Sequence, residues 1–125
     1  FQYVNPRFSL EKTSVEFEGK VFSTKLLGAF QAQNLGVAFA VLQELRKKGV
    51  KISRSAVEKG FWSAKWPGRL EVISRNPAVV LDGAHNHSGA RELRRSMQVL
   101  FKGKKLAPRI PAIPRIFLRV FIFHH

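Results

Sequence analysis

Cysteine is absent from these 125 residues, aspartate occurs once at Asp82, methionine occurs once at Met97, and 8 acidic residues face 22 lysines and arginines. Without thiols, disulfides and thiolate metal sites are excluded, and the composition leans toward the cytoplasm. No apolar run reaches the length of a bilayer span. The opening stretch, Phe1 to Leu10, carries Pro6 and Arg7 where a secretory leader needs a continuous apolar core. With no initiator methionine at its start, the chain is expected to be a fragment of something longer.

The shortage of acids leaves a formal net charge of +14. Such a surplus in a small protein raises the possibility of nucleic acid, anionic lipid or another polyanion as partner. Its distribution argues against one dedicated binding face, because Lys102, Lys104, Lys105, Arg109, Arg115 and Arg119 crowd into a closing stretch that contains no acid. Hydrophobic residues make up 45% of the chain, enough for a real core.

Alternation of Val15, Phe17, Val21 and Phe22 about Glu18-Gly19 predicts two short strands between Thr13 and Leu26. From Gln31 to Lys48, Leu35, Ala38, Phe39, Leu42 and Leu45 recur at helical steps, and Gly49 provides a stop. A second helix is expected from Ser55, spaced from Glu58 as in a capping box, to Gly60. The segment Trp62 to Gly68, with its proline and glycine, reads as a linker. Beyond it, Leu70 to Ser74 and Ala78 to Leu81 read as strands joined at Asn76-Pro77. A polar loop from Asp82 to His87 follows, then a helix capped by Ser88 and running to about Phe101. Strand, polar loop and helix together form the half-unit of nucleotide-binding α/β domains, with the ligand at the carboxyl end of the strand. Pro108, Pro111 and Pro114 then argue against a central strand in the closing stretch.

Four residues carry candidate chemistry. Asp82 ends a strand, where a carboxylate can accept from ribose hydroxyls; it can equally be a turn aspartate that supports its loop. Arg69 presents a planar fork suited to phosphate oxygens, or simply a solvated surface cation. Asn34 lies one turn into the long helix, where its amide can pair with an adenine edge or be satisfied internally. His85 can donate to a phosphate or carboxylate, although a loop histidine is more often a plain polar group. The sequence assembles no metal-ligand spacing, and the candidate metal set is empty.

The run from Leu26 to Met97, with LLGAFQAQN, WPGR and DGAHN in that order, resembles folylpolyglutamate/dihydrofolate synthases of the Mur ligase superfamily. A peptidoglycan-precursor Mur ligase is a more distant alternative. The resemblance implies an α/β chain in which residues 1–66 are the end of a Mur-type central ATPase domain and residues 67–107 open a Rossmann-like C-terminal domain. The implied activity is ADP-forming addition of L-glutamate to folate or dihydropteroate through an acyl phosphate, using ATP and Mg2+, in a cytoplasmic, monomeric parent enzyme. By this resemblance Asn34 is near the adenine, Arg69 reaches ATP phosphates, Asp82 is at the ribose, and His85 is near the reaction centre.

Departures accompany the match. Phe30 stands where the family has histidine, and His87 replaces the proline after DGAHN. No G-x-x-x-x-G-K-[ST] phosphate loop occurs in the chain, and the resemblance places the magnesium ligands and a modified lysine upstream of Phe1, so the chain alone is expected to be inactive. Residues 108–125 are expected to be an aberrant, out-of-frame basic and apolar tail with no native place in the fold. The competing reading from another class is a basic module for nucleic acid or an acidic surface, with Phe117, Phe121 and Phe123 as apolar contacts.

Overall fold

In the computed structural model of the chain, which describes residues 4–107 and 119–124, the alternating residues after Thr13 form the expected hairpin. Strands β2 (Thr13–Phe17) and β3 (Lys20–Thr24) pair antiparallel, with Val15 opposite Phe22. Glu18 and Gly19 both take positive φ, 51° and 73°, the left-handed pair that matches a two-residue turn to strand twist. An unforeseen strand, β1 (Val4–Phe8), pairs with the other edge of β2. Its register shifts between Val4 and Arg7, so Asn5 and Pro6 occupy an irregularity where proline withholds no regular ladder bond.

Helix α1 (Ala29–Lys47) begins two residues before the predicted start. Leu35 and Phe39 are buried, Ala38 and Leu42 are half-buried, and Leu45 is exposed. The buried face meets the hairpin. Phe39 stacks on Phe17 with ring centroids 4.5 Å apart and planes 9° from parallel, while Phe22 lies 5.2 Å from Phe39. Val15, Ala32, Leu35 and Val57 complete this core, and Phe61 packs against it. Helix α2 (Arg54–Ser63) is capped by Ser53, whose hydroxyl accepts from Ala56 N at 3.1 Å. The serine hydroxyl two positions before the predicted cap thus captures the first turn, and the helix continues through Gly60. Arg46 fastens the end of α1 to the following segment by donating from Nε and Nη2 to the Ile52 carbonyl at 3.1 and 2.9 Å.

The chain divides into two compact units, Phe1–Lys65 and Trp66–His125. The second contains β4 (Glu71–Arg75), β5 (Ala78–Asp82), α3 (His87–Leu100), β6 (Lys105–Ala107) and β7 (Arg119–His124). Its four strands are ordered β4-β5-β7-β6, and every neighbouring pair is antiparallel. Since β5 and β6 each run opposite to β7, they run in the same direction as each other. Strand β7 therefore occupies the slot beside β5, which differs from the expectation that the closing stretch has no place in the fold. The expectation built on Pro108, Pro111 and Pro114 lies outside the described residues. Leu70, Val80, Leu93 and Phe101 are buried in this unit.

Truncating a ring in the aromatic core should be severe. Phe39→Ala should lower stability by about 3–5 kcal/mol, whereas Val37→Ala, at a position 67% exposed, should change it by less than about 0.5 kcal/mol. Denaturant melts of both variants check this, and equal losses would show that α1 does not use the Phe39 face as its core.

Candidate functional site

Leu70 takes a left-handed backbone, φ 45°, although it is a non-glycine residue only 1% exposed. That conformation is unfavourable for an L side chain by about 1–2 kcal/mol, so surrounding bonds must hold it. The preceding turn supplies some of them. Arg69 N donates to Trp66 O at 3.2 Å, Gly68 N donates to Glu71 Oε2 at 2.7 Å, and Gly83 N donates to Gly68 O at 2.8 Å.

Asp82 supplies the rest. It ends β5 and is 2% exposed. Its Oδ2 accepts from Leu70 N at 2.8 Å and its Oδ1 accepts from Ala84 N at 2.7 Å. The carboxylate thus joins the turn that presents Arg69 to the loop that presents His85. Two motifs separated in sequence, WPGR and DGAHN, meet at one buried side chain.

Arg69 is half-buried, with its guanidinium carbon 6.0 Å from the centroid of the Trp66 ring. This is the outer limit of a cation–π contact, made from a turn whose backbone is fixed. His85 is exposed, and its Nδ1 lies 3.0 Å from Gly83 O. A carbonyl only accepts, so Nδ1 carries the proton of that bond. Asn86, rather than Ser88, caps α3: its Oδ1 accepts from Gly89 N at 2.7 Å. A side-chain oxygen within the loop takes the capping role, and the helix starts earlier than its serine suggests.

Asn34 belongs to the first unit and is exposed on α1. Its Nδ2 donates to Gln31 Oε1 at 2.9 Å. Gln31 is 1% exposed, and its Nε2 has no hydrogen-bond partner among the described residues. A buried donor left unpaired costs about 1–3 kcal/mol. Reading of the sequence passed over Gln31, although its spacing three residues before Asn34 on a helix puts the two amides on one face. The structure brings Arg69, Asp82 and His85 together within the second unit, and pairs Asn34 with Gln31 within the first.

Among the described residues no group of three His, Cys, Asp or Glu side chains could hold a metal ion. No helix of the described residues is long and apolar enough to cross a membrane.

Replacing Gln31 by methionine, similar in length and apolar, removes a half-satisfied buried amide. Stability should hold or rise by up to about 1 kcal/mol. A melt showing Gln31→Met less stable by more than about 1 kcal/mol would mean that Nε2 is satisfied in solution.

Comparison with known proteins follows the same motifs. No family model matches the chain. It is 35% identical over 101 residues to the dihydrofolate synthase/folylpolyglutamate synthase of Bacillus subtilis, a match that covers 78% of this chain and 24% of that protein. Among solved structures, folylpolyglutamate synthase from Thermotoga maritima matches with TM-score 0.62 and 32% identity over 78% of this chain and 24% of its own. A folylpolyglutamate synthase–AMPPCP–folate complex matches in fold, with TM-score 0.69 and 24% identity, over 80% of this chain and 26% of its own. The chain spans about a quarter of the length of these relatives.

Proposed function

From the premise that this chain is homologous, over part of its length, to the folylpolyglutamate/dihydrofolate synthases of the Mur ligase family, we propose that it carries part of the ATP site of such a ligase. In this reading residues 1–66 are the end of the central ATPase domain, and residues 67–107 open the Rossmann-like C-terminal domain. The observation that carries the proposal is the joining of the WPGR turn to the DGAHN loop through Asp82. It gives Arg69 a fixed mounting, which a phosphate-binding guanidinium needs if its fork is to meet phosphate oxygens bidentately.

The proposed parent reaction has two steps. The carboxylate oxygen of a folate or dihydropteroate attacks the γ-phosphorus of ATP, giving an acyl phosphate and ADP. The amine of L-glutamate then attacks the acyl carbon, forming the amide bond and expelling phosphate. In the first step Arg69 binds phosphate oxygens and offsets charge on the transferring group. Asn34 offers its amide to the adenine edge, held by its bond to Gln31. His85, with Nδ1 tied to Gly83 O, stands beside the reaction as a polar group of fixed ring orientation. Among the described residues no group of three His, Cys, Asp or Glu side chains could hold the magnesium of the parent reaction.

Phosphoryl transfer depends on cradling and neutralising the phosphates, and the glycine-rich loop that does this is absent from these 125 residues. Ligation by this chain alone is therefore expected to be nil, while nucleotide affinity survives weakly, at a millimolar dissociation constant or about 4 kcal/mol. Two measurements check this. ADP release with ATP, Mg2+, dihydropteroate and glutamate should match a protein-free control; release that needs both acceptor substrates and disappears in Arg69→Ala would refute the inactive-fragment reading. Titration of ATP into the chain should perturb the amides around Arg69 in the wild type and not in Arg69→Ala. An identical response in both would remove Arg69 from the site.

A further inference from the structure

We infer that the solvent face of α3 is a binding surface for the phosphate backbone of a nucleic-acid duplex, engaged through charge and without regard to base sequence. The inference does not depend on the ATP reading, because it uses neither Arg69, Asp82, His85 nor Asn34.

Helix α3 divides its residues by chemistry. Leu93 and Ser96 are buried, and Met97 and Leu100 are half-buried, so its apolar side is occupied by its own unit. Arg91, Arg94, Arg95 and Gln98 are exposed. At about 100° per residue these four span roughly 100° of the helix circumference, on the side opposite Leu93 and Leu100. Lys102, also exposed, follows in the turn after the helix, and exposed Lys105 begins the edge strand β6. Sequence order separates Arg91 from Lys102, but a rise of about 1.5 Å per residue brings the two within roughly 16 Å along the axis. Counter-charge is scarce here. Beyond Asp82 the only acid in the chain is Glu92, which is half-buried at the flank of the arginine face. Among the described residues no ion pair engages Arg91, Arg94, Arg95 or Lys102, whereas exposed cations of the first unit pair as Lys47–Glu44 and Arg54–Glu58.

The character of this face selects its partner. Three of its cations are arginines, whose planar forks meet phosphate oxygens bidentately. A duplex carries one charge per about 1.7 Å of axis, so the span from Arg91 to Lys102 can lie along about ten phosphate charges. Phe101 is buried, and the only large apolar residue exposed between Arg91 and Lys102 is Val99. No ring is therefore offered to the unpaired bases of a single strand, and no aromatic anchor is offered to a protein pocket. A helix lying in a membrane interface needs its apolar side free for the acyl chains, and in α3 that side is packed. A cationic ridge on a rigid element remains, and it suits the outside of a duplex.

The test is fluorescence anisotropy of the full chain with labelled DNA duplexes of roughly 20 base pairs in two unrelated sequences. The wild type should bind both within about twofold, with a slope of log affinity on log salt near −3 for three neutralised phosphates. That slope makes binding roughly 50-fold weaker at about 200 mM salt than at about 50 mM. Arg91→Gln/Arg94→Gln/Arg95→Gln should bind at least about tenfold more weakly and flatten the slope by about 2 to 3. Lys48→Gln/Lys51→Gln/Lys59→Gln removes the same charge from exposed positions of the first unit and should stay within about threefold of the wild type. Equal losses in the two triple variants overturn the proposal, because net charge and not the α3 face would then carry binding. Failure of the wild type to bind either duplex overturns it as well. So does tighter binding to vesicles of anionic phospholipid than to duplex, lost in the α3 variant, since the face would then belong to a membrane. A measurement on the wild type alone covers the case of a variant that does not fold. Unlabelled duplex added to 15N-labelled chain should shift the amides from Arg91 to Lys102, and shifts confined to the first unit overturn the proposal.

Discussion

A buried carboxylate and a left-handed leucine resolve each other's difficulty in the second unit. An ionised side chain removed from water is very unfavourable unless hydrogen bonds replace its solvation, and Asp82 is 2% exposed. A non-glycine residue at φ 45° persists only where its surroundings over-determine it, and Leu70 is such a residue. The bond between them at 2.8 Å serves both needs. From it follow the direction in which the chain leaves the Trp66–Arg69 turn, the start of β4 beside the end of β5, and the loop that delivers Asn86 to the start of α3. The candidate chemistry of this unit is arranged around a bond that itself does no chemistry.

The first unit is organised differently. Its core is a cluster of rings, Phe17, Phe22 and Phe39, between the hairpin and α1, and the candidate residue sits at the margin of that core. Asn34 is exposed, but its amide leans on Gln31, which is buried with one donor unpaired among the described residues. An apolar side chain at position 31 would pack without that penalty.

Local chemistry explains which features were legible in the sequence. The hairpin, α1, β4 and β5 were visible because their apolar periods are regular and their turns carry Gly19, Gly49 and Asn76-Pro77. Strand β1 was not, because Asn5, Pro6 and Arg7 break the alternation and the strand exists only through its pairing with β2. Helix starts were displaced because Ser53 and Asn86 lie closer to the loops than the serines first read as caps. At the candidate site, the residue types of Arg69, Asp82, His85 and Asn34 could be read, but not their surroundings. Burial of Asp82 depends on a backbone conformation at Leu70 that nothing in its side chain announces, since leucine rarely adopts it.

The order β4-β5-β7-β6 follows from a demand that hydrogen bonding makes on any such sheet. Strand β5, helix α3 and strand β6 form a unit in which the two strands run the same way, the relation expected at the start of a doubly wound domain. Strand β5 is paired with β4 on one side, and its other row of N–H and C=O groups needs a partner if it is not to be left as an open edge. Residues Arg119–His124 fill that place, antiparallel to both β5 and β6. Val120, Phe121, Ile122 and Phe123 are all residue types that favour strands, so the slot is satisfied by backbone pairing and general β-propensity. Occupancy of the slot therefore says little about ancestry. Many segments of suitable length can close such a sheet, because the ladder reads N–H and C=O groups and not the identity of the side chains that carry them.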